Sequence, residues 1–316
     1  MSQGAAARSI RTPSISRQDA PRLTNGSSVP AASETRDRHT IFKVLWHSTN
    51  VLLILAIFAA AYSGVWEYST RRYLRGFSDA IVPESSSTEQ KMAAILQWMS
   101  NGPARLDSDP RTAGQDRNPT DTLNYASLLQ VCGSATNAFI NLADSAGMPA
   151  RRLLLLDSHR LTKHVVAEVY VDGRWAVVDP AYRVILLAPD GQLLTREELS
   201  NPAVWAAATR GIAGYSPAYT FDRTAHIRIA RMPFVGGAIR TVLDHVLPGW
   251  EDSVTLSLML ERESLAALVI AVAFLIVFGL FRLGLRWYGE RRLGVRPIRF
   301  RQQVRRAFQA FVDTAA

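Results

Sequence analysis

Cys132 is the only cysteine in 316 residues, so no disulfide within the chain can explain it. It opens Cys132-Gly133-Ser134 and is followed by Ala138, Phe139, Leu142 and Ala143 at helical spacing. Gly147 and Pro149 then close the helix. A cysteine at a helix N-terminus meets outward-pointing amides and the positive end of the dipole, both of which favour a thiolate. The competing role for a single cysteine is to fill space in a core.

The partners of a nucleophilic thiolate are a base and an acid that orients it. His164 begins a β-rich run that reaches Val171, and Arg174 begins a second that ends at Asp179-Pro180. Asp172-Gly173 between them is a two-residue hairpin signal. If that turn sets the register, Val171 pairs with Arg174 and Val166 lies opposite Asp179. His164 is then the diagonal neighbour of Asp179 on one face, about 7–8 Å away and within reach of a carboxylate–imidazole hydrogen bond. That face also carries Val166, Glu168 and Tyr170 against Trp175 and Val177. The other face, with Val165, Ala167, Val169, Val171, Ala176 and Val178, is the apolar face of a core. Glu168 and Trp175 read as a solvated carboxylate and a packing residue. His159 is a rival base, but it lacks the hairpin relation to Asp179.

The rest of the chain must position this constellation. Residues 1–43 are rich in Ser, Ala, Arg, Pro and Gly without an apolar period and read as a disordered basic tail. Residues 44–66 lack Asp, Glu, Lys and Arg; as a helix they extend about 34 Å, enough for a hydrocarbon core. Trp46, Tyr62, Trp66 and Tyr68 lie near the ends, where interfacial aromatics belong. Ala59-Ala60-Ala61 offers the rival reading of a cleaved signal peptide, against which the leader is long. A second uncharged run at 265–281, followed by Arg282, Arg286, Trp287 and Tyr288, defines a span at 264–285. Residues 67–263 form the domain between the spans. Residues 286–316 form a basic tail in which Val304, Phe308, Phe311 and Val312 share one helical face.

The charge map excludes one function class. The formal net charge is +9, yet residues 1–43 hold seven Lys/Arg against three Asp/Glu, and residues 282–316 hold nine against two. Twenty basic and twenty-two acidic residues remain between them. The basic excess therefore belongs to the membrane flanks, and nucleic acid is not expected as a partner. By the positive-inside rule both tails are cytoplasmic and the domain is extracytoplasmic, although Arg71, Arg72 and Arg75 argue the other way. No phosphate loop, dinucleotide fingerprint, zinc spacing or acidic calcium loop is present, so neither metal nor cofactor is expected.

Residues 130–180 resemble the core of the transglutaminase-like superfamily, in the Cys, His, Asp chain order of that group. The matching points are Cys132 at the helix start, Gly147-Met148-Pro149-Ala150-Arg151 after the helix, His164 opening a strand, Gly173-Arg174-Trp175, and Val178-Asp179-Pro180. The likeness is close over about 50 residues and looser over 67–210. It departs upstream, where many relatives carry an aromatic residue and Val131 stands here. The second oxyanion donor is thus open, with Gln130 and Tyr125 as candidates. The resemblance implies an α+β, papain-like transglutaminase core, with the Cys-bearing helix packed on an antiparallel sheet between two transmembrane helices. It also implies Cys132, His164 and Asp179 as a catalytic triad for acyl transfer on amide bonds of protein, peptide or envelope material, by hydrolysis or amine transfer. The implied setting is a bacterial inner membrane with the domain in the periplasm. A different class, an idle scaffold in an envelope or polysaccharide assembly, is the alternative.

Overall fold

The computed structural model describes residues 32–101, 123, 132–227 and 236–294. The segment at 301–316, with its apolar helical face, and both Tyr125 and Gln130 lie outside the described residues. Two compact units are distinguished, one of Met1–His47 with Trp287–Ala316 and one of Ser48–Arg286. In the first, Phe42 and Trp46 form a tilted aromatic pair, and Arg291 lies over the Trp287 ring. The second holds the sheet and the three candidate site residues Cys132, His164 and Asp179.

Helix α1 spans Ala32–Ile81 and α2 spans Thr88–Ser100. The helix that starts at Cys132 is α3, Cys132–Ser145. Strands β1 (Ala150–Leu156), β2 (Thr162–Val171), β3 (Arg174–Asp179), β4 (Val184–Ile185) and β5 (Thr224–Ala225) make one sheet. Its order is β4-β3-β2-β1-β5, and each neighbouring pair is antiparallel. Short helices α4 (Arg196–Leu199) and α5 (Pro202–Thr209) follow β4. Then come α6 (Gly236–Val246), α7 (Val254–Glu261) and α8 (Glu263–Arg292).

Among the described residues, two helices are long and apolar enough to cross a membrane, Arg38–Ile81 and Glu263–Arg292. Only 11% and 17% of their most apolar stretches are buried, unlike the core helix of a soluble protein. Helix α1 differs from the sequence expectation at both ends. It starts at Ala32, inside the segment read as a tail, and runs on past Trp66 to Ile81. Hydropathy ends at a charge, but a helix does not. Beyond Trp66, Arg71, Arg72 and Arg75 stay exposed while Glu67, Thr70, Leu74 and Ser78 are buried on one stripe.

The β2–β3 hairpin has the register expected from its turn, with Val171 opposite Arg174 and Ala167 opposite Val178. Asp172 and Gly173 both have positive φ, 46° and 85°, as a type I′ turn requires. Gly173→Val places a β-branched side chain in that region and is expected to destabilise the domain by about 1–2 kcal/mol, read as a lower denaturant midpoint. Both faces of the sheet are covered. On one, Ala138, Phe139 and Leu142 of α3 and Met92 and Ile95 of α2 pack on Ala167, Val169, Ala176 and Val178. On the other, Leu153, Leu155, Val166 and Val177 meet Leu186, Leu194, Leu199 and Phe221.

Helix α3 ends as its sequence indicates. Gly147 takes φ of 79°, and the Met148 N–H reaches back to the Ala143 carbonyl at 2.9 Å, a Schellman arrangement. Thr195 and Glu198 form a capping box at α4.

Candidate active site

Three elements converge at one end of the sheet. Cys132 is the first residue of α3 and packs against Leu154, Leu156 and Val165. Thr136, one turn along, donates its hydroxyl to the Val165 carbonyl at 3.1 Å, fastening the start of α3 to the strand residue beside His164. The β1–β2 register slips between Leu155 and Leu156, where Leu155 pairs with His164 and Leu156 with Thr162. A bulge at such a position re-aims a side chain.

His164 is 1% exposed and Asp179 is fully buried. His164 Nε2 donates to Asp179 Oδ2 at 2.7 Å. Asp179 Oδ1 accepts from the backbone N–H groups of Ala181 and Tyr182, at 3.1 and 3.3 Å, so both oxygens have donors. Nδ1 of His164 is buried and makes no hydrogen bond. Cys132 lies close enough to the ring to influence its ionisation. Burial, the largest single influence, pulls the His164 pKa down. The hydrogen bond with Asp179, the proximity of Cys132 and the charges of both more than offset it and raise the pKa from 6.5 to about 9. The attraction is mutual, so an imidazolium held beside Cys132 also favours its thiolate.

An aromatic collar that the sequence did not reveal encloses this ring. Tyr219 stacks on His164 at 4.1 Å between centroids and 7° between planes. Tyr182 and Tyr215 meet it edge-on, at 5.9 and 6.3 Å. The Tyr182 hydroxyl is tied to the Gly214 carbonyl at 3.0 Å, and the Trp205 indole donates to the Tyr219 carbonyl at 2.9 Å. Burial, followed by the negative charge of Asp179, pushes the Tyr215 phenol far above its usual range. Tyr215 and Tyr219 come from an irregular stretch after α5, which carries no periodicity to read.

His159 sits exposed in the turn between β1 and β2, whereas Asp179 is fully buried and bonded to His164. The solvated reading of Glu168 is corrected: it is 1% exposed and shared by Arg151 Nε and His226 Nε2, each at 2.7 Å. Arg151 opposes it across the β1–β2 ladder, and Trp175 covers the guanidinium at 3.9 Å. His226 Nδ1 in turn meets Asp252 Oδ1 at 2.7 Å. Burial without partners would have been costly, and these partners remove that cost. Trp175 therefore packs, as expected. No group of His, Cys, Asp and Glu suited to a metal ion occurs among the described residues.

A Cys-bearing helix packed on an antiparallel sheet, with His and Asp joined across one hairpin, defines a transglutaminase-like α+β core. Residues 75–180 match the family model of the transglutaminase-like superfamily, so this stretch of the chain is similar to the core of that superfamily. The matched span runs from the last turns of α1 to the end of β3 and contains Cys132, His164 and Asp179. Neither the curated proteins nor the solved structures provide a match.

Proposed function

We propose that the protein is a membrane-anchored cysteine enzyme that transfers acyl groups from amide bonds through a thioester on Cys132. The observation that carries this reading is the buried His164 ring, bonded to the doubly bonded Asp179 carboxylate and near enough to half-buried Cys132 for the thiol to help raise its pKa. The thiolate attacks the amide carbon, a C–S bond forms, and the carbonyl electron pair moves to oxygen. The first amides of α3 point outward from the helix terminus and suit that oxyanion. The oxyanion then reforms the carbonyl, the C–N bond breaks, and His164 gives its proton to the departing amine. Water or a second amine next attacks the thioester, gives its proton to His164, and releases Cys132. Asp179 holds the ring in the productive orientation throughout. The collar of Tyr182, Tyr215 and Tyr219 limits water around the imidazole and strengthens its interaction with Asp179.

The two apolar helices support a bilayer setting, and the basic flanks support an extracytoplasmic domain in a bacterial inner membrane. Peptide or protein amides are the substrate class that the superfamily resemblance supports. The test is the rate of Cys132 alkylation by iodoacetamide against pH, in the native protein and in His164→Ala. Rapid reaction at pH 6 that is lost in His164→Ala is the expected result. A thiol that titrates near 8.5 in both proteins favours the idle scaffold instead.

A further inference from the structure

The nucleophile-bearing helix is wired directly to the roots of both apolar helices. Glu261 and Arg262 immediately precede α8, which starts at Glu263, and Glu67 lies on α1 just beyond its most apolar stretch. Asn137 of α3 donates to the Glu261 carbonyl at 2.6 Å and to its carboxylate at 3.0 Å. Arg262 donates to Asn141 Oδ1 at 3.0 Å, to Asp144 Oδ2 at 3.0 Å and to Glu67 Oε1 at 3.1 Å. Ser264 completes Glu67 with a hydrogen bond of 2.7 Å. Arg152 of β1 bridges the network to the start of α3, reaching Glu261 Oε2 at 2.5 Å and the Gly133 carbonyl at 3.3 Å. Glu67, Asn137, Asn141, Glu261, Arg262 and Ser264 are all at most 4% exposed.

This network fixes a distance. Asn137 lies five residues from Cys132, or about 7.5 Å along the helix, and Asn141 about 14 Å. Adding one hydrogen-bonded side-chain reach, the thiol lies within about 20 Å of the point where α8 leaves the domain. A domain of roughly 200 residues is about 40 Å across, so the thiol sits in the half next to α8. A long tether that would lift the site clear is absent, because Glu261 itself is a bonding partner of α3.

We propose that the acyl donor is the juxtamembrane stretch of a second, membrane-anchored polypeptide, delivered to Cys132 along the bilayer surface. This rests on Cys132 as the nucleophile and α8 as a span. A donor tethered in the same bilayer arrives at high effective concentration without any long-range recognition surface.

The test measures reach rather than activity. The full chain is reconstituted in vesicles containing a phospholipid that carries a maleimide on a spacer of about 20 or about 60 Å, lengths set by the reach above. Maleimide at pH 7.5 needs no activated thiol, so failure of the catalytic reading does not mask the outcome. Labelling of Cys132 through the short spacer to within about threefold of the long one is expected, and Cys132→Ser must abolish both. A short spacer that labels more than tenfold more slowly places the thiol far from lipid and overturns the proposal. So does a thiol that reacts with neither spacer nor soluble maleimide. The same probe applied to His164→Ala should label with the same spacer dependence, whereas the iodoacetamide test at pH 6 fails in that variant.

Discussion

Asp179→Asn is expected to slow iodoacetamide alkylation of Cys132 at pH 6 by about 100-fold or more. Asp179 Oδ2 is the hydrogen-bonding partner of His164 Nε2, and its charge helps raise the imidazole pKa to about 9. An asparagine keeps the volume but removes the charge, and burial then drives the ring neutral. Without an imidazolium beside it, Cys132 returns toward an ordinary thiol with pKa of about 8.5, about 0.3% ionised at pH 6. The same change alters stability. A histidine whose folded pKa is raised above 6.5 contributes stability that is fully present below pH 6.5 and is lost as pH rises through about 9. The interval corresponds to about 3 kcal/mol. Native protein should therefore lose stability across that window, and Asp179→Asn should show a much flatter profile. Equal alkylation rates in the two proteins at pH 6 would mean that Asp179 does not hold the imidazolium.

Arg262→Leu is expected to destabilise the protein by about 2–3 kcal/mol, because it removes the buried cation of Glu67 and leaves that carboxylate only the largely exposed Arg71 as a cation, 2.6 Å away. Asn141 and Asp144 lose a donor at the same time. The double variant Glu67→Leu with Arg262→Leu should recover part of that loss, since two apolar side chains leave no buried unpaired charge at the root. Thermal unfolding of the detergent-solubilised full chain measures both. The pH dependence of Cys132 alkylation in the surviving folded fraction shows whether α3 has shifted. Independent, additive losses in the two single variants would show that Glu67 and Arg262 are not coupled.

The local signals in the sequence account for the part of the site built on neighbouring residues. The Asp172-Gly173 turn fixes the β2–β3 register, and that register alone brings His164 to Asp179. The Gly147 signal ends α3 where its carbonyls need a partner. Helix α2 has its own local signal in the capping box of Ser87 and Gln90. Tertiary features carry weaker signals. The tyrosine collar is assembled from an irregular stretch whose approach to His164 depends on α5 and Trp205. Glu168 looked like a surface carboxylate because its partner Arg151 sits across a ladder whose bulge and irregular connection hide the register. The network at Arg262 joins residues 121 and 195 positions apart and leaves no periodic trace.

That separation has a consequence in time. A ribosome releases Glu67 and the whole of α3 long before Arg262 exists, so Asn141 and Glu67 emerge without the guanidinium that later joins them. Cys132 can be made, and the His164–Asp179 hairpin can close behind it, while the helix carrying Cys132 still lacks its final anchor. Completion of the domain therefore waits for the last segment before α8. A nascent chain stalled short of that segment would hold Cys132 on an unanchored helix, which ties completion of its surroundings to arrival of the second long apolar helix.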